Sequence, residues 1–446
     1  MATRSRLAAG VAALAVTALG LAGCGPVTSR QTVTVLGTWT GQEEEQFQQV
    51  LAPFEARTGI DVRFEGTRDF EAVLNGRIQS GDAPDLALMP SEGDLAQYAQ
   101  DGRLIALDSL SPAVGVARIR HDYQPTWLRV GLVTGRDGRD RQYGIVVKGT
   151  RKSLVWYSKA HWKLPTPTTL EALVGESRRL AASGTPPWCV GLRSSSDSGW
   201  PGTDWIEDIL LHQSGPGDYQ DWSRGDLPWT SAQVRAAFGT WSELLRPGMV
   251  RLGAAGATLT PFAAAGWPMF DAKPGCYVTL SGSFSASLYA SSDREPPADA
   301  GHFDFPPASG GMVIAGDILA TFRRTPASAR LVDYLTGTDA QSIWARQGGT
   351  IAPNRAVGPA AYADAATEDL AESVQRAPCA DVVFDASDAM PATMRTEFYR
   401  AVVEFVADPS RLGVILAGLD AVRQIAYPRP AYSPPAGPPP PAAGCP

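Results

Sequence analysis

The hydrophobic pattern at the start of the chain alternates between short apolar runs and amphipathic stretches. The run 32–36 is typical of a strand, and a second strand-like run follows at 60–64. Between them, Phe47, Val50, Leu51 and Phe54 fall at i, i+3, i+4 and i+7, which predicts a helix ending at Thr58-Gly59. Strand, helix and strand in this order form a β-α-β unit, which indicates a parallel sheet.

The same alternation continues along the chain and predicts an α/β fold. Further strands are predicted at 85–89, 143–147, 153–157 and 311–316, and further helices at 70–79, 94–100, 327–335, 394–405 and 412–424. A basic turn, 148–152, is predicted to join the two central strands. Without residues 1–23, which are predicted below to be removed, the chain has 423 residues (446 minus 23), which exceeds what one hydrophobic core usually supports, so two lobes are expected.

The N-terminus has the features of an export segment. Arg4 and Arg6 precede an apolar run at 7–21, which is too short to span a bilayer and suits a secretory signal peptide, residues 1–23. The sequence Leu-Ala-Gly-Cys that ends at Cys24 resembles the lipobox of bacterial lipoproteins, in which the Cys is acylated. The resemblance implies a lipid anchor at Cys24 with a tether at 24–31; the alternative is an ordinary signal peptide with a chance Cys.

The net charge of the chain disfavours one class of partner. Removing residues 1–23 takes away two Arg and no acid, so the formal charge goes from −7 to −9, which disfavours nucleic acid as a partner.

Apart from Cys24, the chain has an even number of cysteines, which suggests disulfides in an exported chain: Cys189, Cys276, Cys379 and Cys445. Three connectivities are possible; we favour Cys189 with Cys276, since each begins a strand-like run, and Cys379 with Cys445, which would hold the Pro-rich tail at 427–446. No metal site or cofactor is expected, because no Cys or His spacing matches a metal-binding pattern.

Several stretches in order along the chain resemble the carbohydrate-binding group of bacterial extracellular solute-binding proteins (family 1), which serve ABC importers. They begin at Trp39, Phe54, Ala83, Leu95, Tyr143, Leu154, Ser281 and Gln341, and the stretch 200–208 looks most like α-glucoside binders. The resemblance implies a two-lobe, type II periplasmic-binding-protein-like fold with an interlobe cleft and hinge strands. It places the first lobe at 31–144 and 303–349, and the second at 145–302 and 350–426.

A sugar-binding cleft needs aromatic faces and hydrogen-bonding groups, and seven residues are candidates for these roles. They follow strands or turns that the resemblance places at the cleft: Trp39, Glu43, Glu92, Trp200, Asp204, Phe284 and Asp317. Each also has a structural interpretation. Trp39 could pack the turn, Phe284 could be a core residue, Glu43 could serve the helix dipole, and Asp317 could begin a turn.

The segment 199–205 is the most informative of these. Asp204 and Glu207 have the spacing of a capping box, so Asp204 could be purely structural. Of the two neighbouring tryptophans, Trp200 is predicted to stack on the ligand and Trp205 to lie in the core. After the strand at 85–89, Glu92 is the predicted ligand residue and Asp94 the predicted cap.

The resulting prediction is a lipid-anchored, monomeric binding protein on the extracellular face of the membrane. It would capture a sugar, such as a di- or oligosaccharide or an α-glucoside, and deliver it to the membrane subunits of an ABC importer without acting as an enzyme. Two alternatives stay open: a secreted glycoside hydrolase, since two carboxylates suffice for that chemistry, and a surface binding or sensing lipoprotein without a transporter. A sugar phosphate also stays open as a ligand, because Lys148, Arg151 and Arg193 could hold it.

Overall fold

The computed structural model describes residues 30–111, 114–290, 299–306 and 311–427. The predicted signal peptide, Cys24, most of the tether and all of the tail beyond Tyr427 lie outside these residues. Within the described part of the chain, no helix combines the length and apolarity needed to cross a membrane.

The described chain forms 11 strands and 18 α-helices. The strands are β1 Thr32–Gly37, β2 Asp61–Gly66, β3 Leu86–Met89, β4 Leu132–Thr134, β5 Asp140–Gln142, β6 Gly144–Arg151, β7 Leu154–Ser158, β8 Val278–Ser281, β9 Ala300–Asp304, β10 Met312–Thr321 and β11 Val382–Phe384. The helices are α1 Gln42–Thr58, α2 Phe70–Ser80, α3 Glu92–Gln100, α4 Leu107–Leu110, α5 Val116–Asp122, α6 Pro125–Val130, α7 Leu170–Ala182, α8 Trp200–Ser223, α9 Ala232–Leu244, α10 Gly253–Leu259, α11 Phe262–Ala265, α12 Ser285–Ala290, α13 Pro326–Leu335, α14 Thr338–Arg346, α15 Ala365–Arg376, α16 Ala386–Ala389, α17 Ala392–Ala407 and α18 Leu412–Ala426.

The predicted β-α-β start is confirmed. Strands β1 and β2 pair in parallel, and Gly59 ends α1 in the left-handed conformation that favours glycine. The largest sheet has the order β11-β10-β3-β1-β2, with β6 also paired to β10. A second sheet has the order β8-β7-β9.

Two large hydrophobic clusters give the molecule two lobes. The first lobe packs α1, α3 and α13 on the larger sheet, around residues such as Phe47, Leu95 and Leu331. The second lobe packs α8, α9 and α17 with the smaller sheet, around residues such as Trp205 and Phe398. The predicted two-lobe α/β architecture is therefore confirmed.

Strands β6 and β10 connect the two lobes as an antiparallel pair. Strand β10 contributes Val313 to the second cluster and Ile318 to the first, so it crosses from one lobe to the other. The register of the pair shifts between Asp317 and Ile318, which is a β-bulge at the crossing point.

Two local predictions are corrected here. Residues Lys148 to Arg151, predicted as a basic turn, are the second half of β6, and the chain reverses only at Ser153, where φ is 64°. Gly316 and Asp317 lie inside β10 and do not follow a strand. In both cases the buried strand continues because its backbone pairs with a neighbouring strand, which a polarity pattern does not reveal.

The residue boundaries of the lobes stay a prediction. The predicted return at 303 falls inside β9, whose Phe303 packs in the second cluster. Helix α15, which the prediction assigned to the second lobe, contributes Leu370 and Val374 to the first cluster.

Candidate ligand-binding site

A cavity of about 190 Å³ lies between the two lobes. Its wall combines aromatic rings with charged and hydroxyl side chains from distant parts of the sequence. The lining residues include Thr38, Trp39, Glu43, Arg68, Glu71, Lys148, Thr150, Lys152, Ser194, Asp197, Trp200, Phe262, Phe284, Asp317, Asp385, Ser387, Asp388, Arg395 and Tyr399.

On the side of the first lobe, Glu43 holds two cations in place. It lies in the first turn of α1 and pairs with Arg68 at 2.6 Å and with Lys148 at 3.5 Å. Burial alone would raise the pKa of Glu43, but Lys148 and Arg68 together lower it below its usual value. Glu43 is therefore an ionised carboxylate whose charge is already balanced by the protein.

Trp39 lines the same wall but is only 2 % exposed. Its ring packs edge-on against Phe47 and Trp344, with centroids 5.0 and 5.7 Å away, and Lys148 Nζ lies 4.8 Å from the ring centroid. Its side chain donates a hydrogen bond to Asp317, whose pKa burial raises to about 6. This tryptophan thus fixes the wall of the cavity and offers a ligand little surface for stacking.

On the side of the second lobe, Trp200 is the first residue of α8 and follows Gly199. Gly199 has a φ of 112°, and a Cβ atom there would lie 2.2 Å from the carbonyl oxygen of Tyr399. Only glycine fits at position 199, because its backbone packs directly against the backbone of α17. This close packing places the neighbouring Trp200 next to α17. Phe262 and Phe284 contact Trp200 at centroid distances of 5.0 and 6.1 Å, and the three rings form an aromatic wall.

Next to this wall, Lys152 lines the cavity and is largely buried among carboxylates. Its Nζ donates to Asp204 at 2.9 Å, forms an ion pair with Asp385 at 3.0 Å, and lies 4.9 Å from the centre of the Trp200 ring. Burial raises the pKa of Asp204 to about 7 against the pull of Lys152, whereas the pKa of Asp385 is lowered, because Lys152 and nearby hydrogen bonds outweigh its burial.

Asp204, Glu207 and Asp385 bring carboxylate oxygens within 4.8 Å of one another, a spacing that could hold a metal ion. In this structure Lys152 supplies the positive charge to two of them. Glu207 accepts hydrogen bonds from Tyr219 and from the Ala386 amide, which ties α8 to the start of α16. The arrangement is therefore an internal ion cluster that supports the aromatic wall.

The structure brings together five of the seven predicted ligand residues: Trp39, Glu43, Trp200, Phe284 and Asp317. Asp204 lies behind the wall and faces Lys152. It is inside α8, which begins at Trp200 and has no side-chain cap, so the predicted capping box with Glu207 is wrong. Glu92 is the first residue of α3 and does not line the cavity; Ser91 is the cap, and Asp94 pairs with Arg395.

Sequence reasoning missed Arg68, Glu71, Asp197, Asp385, Asp388, Arg395 and Tyr399 among the lining residues. One rule could have found two of them, because ligands in α/β sheets gather at the carboxyl ends of strands. Asp385 directly follows the short strand β11, and Asp388 lies three residues further on, in α16. Arg395 and Tyr399 lie on α17, one turn apart, and their helical pattern resembles that of any amphipathic helix.

The predicted disulfide between Cys189 and Cys276 is present, with a Cα–Cα distance of 5.5 Å. It links the segment before α8 to the segment just ahead of β8, which begins at Val278. The predicted pair Cys379 and Cys445 lies outside the described residues, because Cys445 and the side chain of Cys379 are not part of them.

Comparison with known proteins relates this architecture to binding proteins. The solute receptor AcbH, whose structure was reported with a preference for β-D-galactopyranose, superposes with a TM-score of 0.76 at 16% identity, covering 89% of this chain and 100% of that one. A chitin oligosaccharide binding protein superposes with a TM-score of 0.74 at 15% identity, covering 89% of this chain and 98% of that one. At these identities the likeness concerns the fold, which is the two-lobe type II architecture.

Relatives in sequence extend the comparison. The osmoprotective compounds-binding protein GgtB of Synechocystis is 33% identical over 387 residues, which is 84% of this chain and 89% of the relative. The α-glucosides-binding periplasmic protein AglE of Rhizobium meliloti is 29% identical over 397 residues, covering 86% of this chain and 85% of the relative. The family model for bacterial extracellular solute-binding proteins matches residues 40–342. This chain belongs to the family of bacterial extracellular solute-binding proteins.

Proposed function

We propose that this protein captures a sugar, of the di- or oligosaccharide or α-glucoside class, and delivers it unchanged to the membrane subunits of an ABC importer. The observation that carries the proposal is the aromatic wall of Trp200, Phe262 and Phe284, set in an interlobe cavity beside carboxylates. Aromatic faces suit the apolar faces of a sugar, and carboxylates accept hydrogen bonds from its hydroxyl groups. AglE, which is named for α-glucosides, supports this ligand class.

The seven predicted ligand residues have different roles in this proposal: some contact the ligand, and others hold those residues in position. Trp200 and Phe284 contact it directly, and Glu43 and Asp317 accept hydrogen bonds from it or orient the residues that do. Trp39 and Asp204 position the two walls, through Asp317 and Lys152 respectively. Glu92 has no role in ligand binding in this proposal.

A thermal-shift screen of the purified protein against α-glucosides tests the proposed function. A sugar at about 100 times its dissociation constant should add roughly 2.7 kcal/mol to the free energy of unfolding and raise the melting temperature by a few degrees. The sugar should be recovered unchanged; release of cleaved sugar would show a glycoside hydrolase instead.

The variant Trp200→Ala tests the aromatic wall. Because the ring lies at the cavity surface, its loss should weaken sugar binding by about tenfold or more while the melting temperature without sugar changes little. Leu259→Ala, at a residue that is 71 % exposed and outside the cavity lining, is the matched control and should bind sugar as the native protein does. Equal affinity of Trp200→Ala and the native protein would contradict the proposed site.

We also propose that Cys24 carries a lipid anchor after cleavage of residues 1–23, and that the protein acts as a monomer on the extracellular face of the membrane. The basic and apolar pattern ahead of Cys24 supports the cleavage, and the family is extracellular. Two acyl chains on one Cys would hold the described body at the membrane surface.

A further inference from the structure

Helix α18 turns its charged side chains inward, which reverses the usual arrangement of a surface helix. Asp420 and Arg423 are its only charged residues, and they pair with each other at 2.8 Å. Asp420 accepts a hydrogen bond from the Trp229 amide, and Arg423, which is buried, donates to the carbonyl oxygen of Gly225. Both charges of α18 are therefore used within the protein, whereas a surface helix normally presents such residues to the solvent.

The positions of α18 that face the solvent carry no charge. They lie along one side of the helix over successive turns, and only one of them is polar: Gly413, Val414, Ala417, Gly418, Ala421, Gln424 and Ile425. We call these seven residues the outer side of α18. Val414 and Ile425 are large apolar side chains at 66 % and 78 % exposure. A helix that is apolar on its outer side as well as on its inner side is typical of a buried helix.

Packing within the described chain does not explain the two glycines on the outer side. Apart from the backbone of its own helix, a Cβ atom at Gly413 or at Gly418 would meet nothing within 4 Å. Glycine stabilises a helix less than alanine does, so alanine would be the better residue at an open position. Glycine does allow a second backbone to approach the helix closely. The outer side of α18 thus has the shape and the polarity of a contact surface.

The small area of this surface favours a segment of the same chain as its occupant. A helix of 15 residues is about 22 Å long and about 10 Å wide, so its outer side offers roughly 200–300 Å². A stable interface between two proteins buries about 800 Å² on each partner, which is far more than α18 provides to a second copy. A tethered segment needs less area, because the tether gives it an effective concentration in the millimolar range.

The chain that follows α18 has the length and the composition to be this occupant. Residues 428–446 come directly after Tyr427, and nine of these 19 residues are proline. This composition favours an extended polyproline conformation with about 3.1 Å per residue, so about seven residues would span the whole of α18. Arg429 is the only charged side chain of the segment, and most of the others are apolar.

We propose that residues 428–446 fold back along α18 and cover its outer side, including Val414 and Ile425. Tyr427 fixes the start of the segment at one end of this surface, because its hydroxyl donates to the carbonyl oxygen of Ser223 at 2.8 Å. The contact keeps an uncharged apolar surface of the second lobe away from the solvent and from other molecules. It is independent of the proposed function, since no described residue of α18 lines the cavity between the lobes.

Hydroxyl-radical footprinting of the purified protein, with oxidation of each residue measured by mass spectrometry, tests this contact. We expect Val414 and Ile425 to be oxidised at least about threefold more slowly in the chain that contains residues 428–446 than in a chain that ends at Tyr427. Equal oxidation in the two chains would overturn the inference, because the outer side of α18 would then be open to the solvent or to another partner.

Two exposed leucines at α10 are controls within the same samples. Leu252 and Leu259 are 66 % and 71 % exposed and should be oxidised equally in both chains. The measurement is repeated at several protein concentrations. Protection of Val414 and Ile425 that is the same in both chains and grows with concentration would show that a second copy covers the surface, and this result also overturns the inference.

Ala421→Glu tests the same surface in the chain that keeps residues 428–446. A carboxylate in the middle of the outer side would lose its water under an apolar segment, so the segment should detach. Oxidation of Val414 and Ile425 should then reach the rate of the shortened chain. Ala172→Glu, at an exposed position of α7, is the matched control and should keep the native rates. If circular dichroism shows a folded Ala421→Glu protein with native rates, the inference is wrong.

Discussion

At the scale of single residues, the same side-chain type has different roles that depend on its partners. Two neighbouring cations keep Glu43 ionised, whereas only the charge of Arg129, which forms no ion pair with Glu92 among the described residues, favours ionisation of Glu92. Burial therefore raises the pKa of Glu92 to about 7. This carboxyl group does not line the cavity, so we expect its titration to affect stability and not ligand binding.

Glu92→Gln should make the protein more stable at high pH. Between about pH 4.5 and pH 7 the folded protein holds a proton on Glu92 that the unfolded chain has released, so the free energy of unfolding falls as pH rises through this range. The neutral amide removes this loss. Urea unfolding should show the variant more stable than the native protein by about 2 kcal/mol at pH 8, with little difference at pH 4.

Glu45→Gln, on the exposed face of α1, is the control for this experiment and should show no such pH-dependent gain. Sugar affinity of Glu92→Gln should equal that of the native protein. An unchanged stability difference between pH 4 and pH 8 would show that Glu92 titrates as it does in the unfolded chain.

At the scale of elements, the contacts between helices of different lobes decide the shape of the cavity. Helix α17 packs in the second lobe, yet its Arg395 reaches Asp94 on α3 and Glu71 on α2 in the first lobe. At the same place a Cβ atom on Gly93 would lie 2.0 Å from the carbonyl oxygen of Met390, so only glycine allows this close approach of α3 to α16. The lobes are thus joined by a buried ion cluster as well as by strands β6 and β10.

Arg395→Met should lower the stability of the whole protein strongly. Arg395 is 2 % exposed, and removal of its guanidinium would leave Asp94 buried without its cationic partner. Breaking a buried ion pair from one side costs about 3–5 kcal/mol, and urea unfolding measures this loss. Arg400→Met is the control. Arg400 is exposed on α17 and forms ion pairs with Glu397 and Glu404, so its replacement should lower the free energy of unfolding by less than about 1 kcal/mol.

A double variant, Arg395→Met with Asp94→Leu, should recover part of the loss, because no uncompensated carboxylate would remain at Asp94. A cost below about 1 kcal/mol for the single variant would contradict the role of Arg395 as a connection between the lobes.

At the scale of the whole molecule, the cavity exists because segments that are hundreds of residues apart meet between two cores. The cavity lining combines Trp39 and Asp317, which are 278 residues apart in the sequence, with Trp200 and Asp388, which are 188 residues apart. The cations Lys148 and Lys152 at this cavity are paired with carboxylates of the protein that come from other segments.

Cys24→Ser should release the protein from the membrane. Without the thiol no acyl chain can be attached, and the described residues contain no helix that could hold the protein in a bilayer. Fractionation of producing cells should find the native protein with the membranes and the variant in the soluble exported fraction, and mass spectrometry should find two acyl chains on the native Cys24 peptide. A native peptide without acyl chains would refute the anchor.

Residue patterns along the chain were sufficient to predict the α/β class, the β-α-β start, and the placement of Trp205 in the core and of Trp200 at the cavity. They favoured the disulfide between Cys189 and Cys276 over the other possible connectivities, and this disulfide is present. These features follow from local periodicity and from residue type, which are written along the chain. The packing of distant segments was needed to show that Lys148 and Lys152 face acids from other segments, that Asp204 pairs with Lys152, and that Glu92 does not line the cavity. The physical reason is that the ionisation and the exposure of a side chain depend on which distant segments pack against it, and local pattern carries no information about those partners.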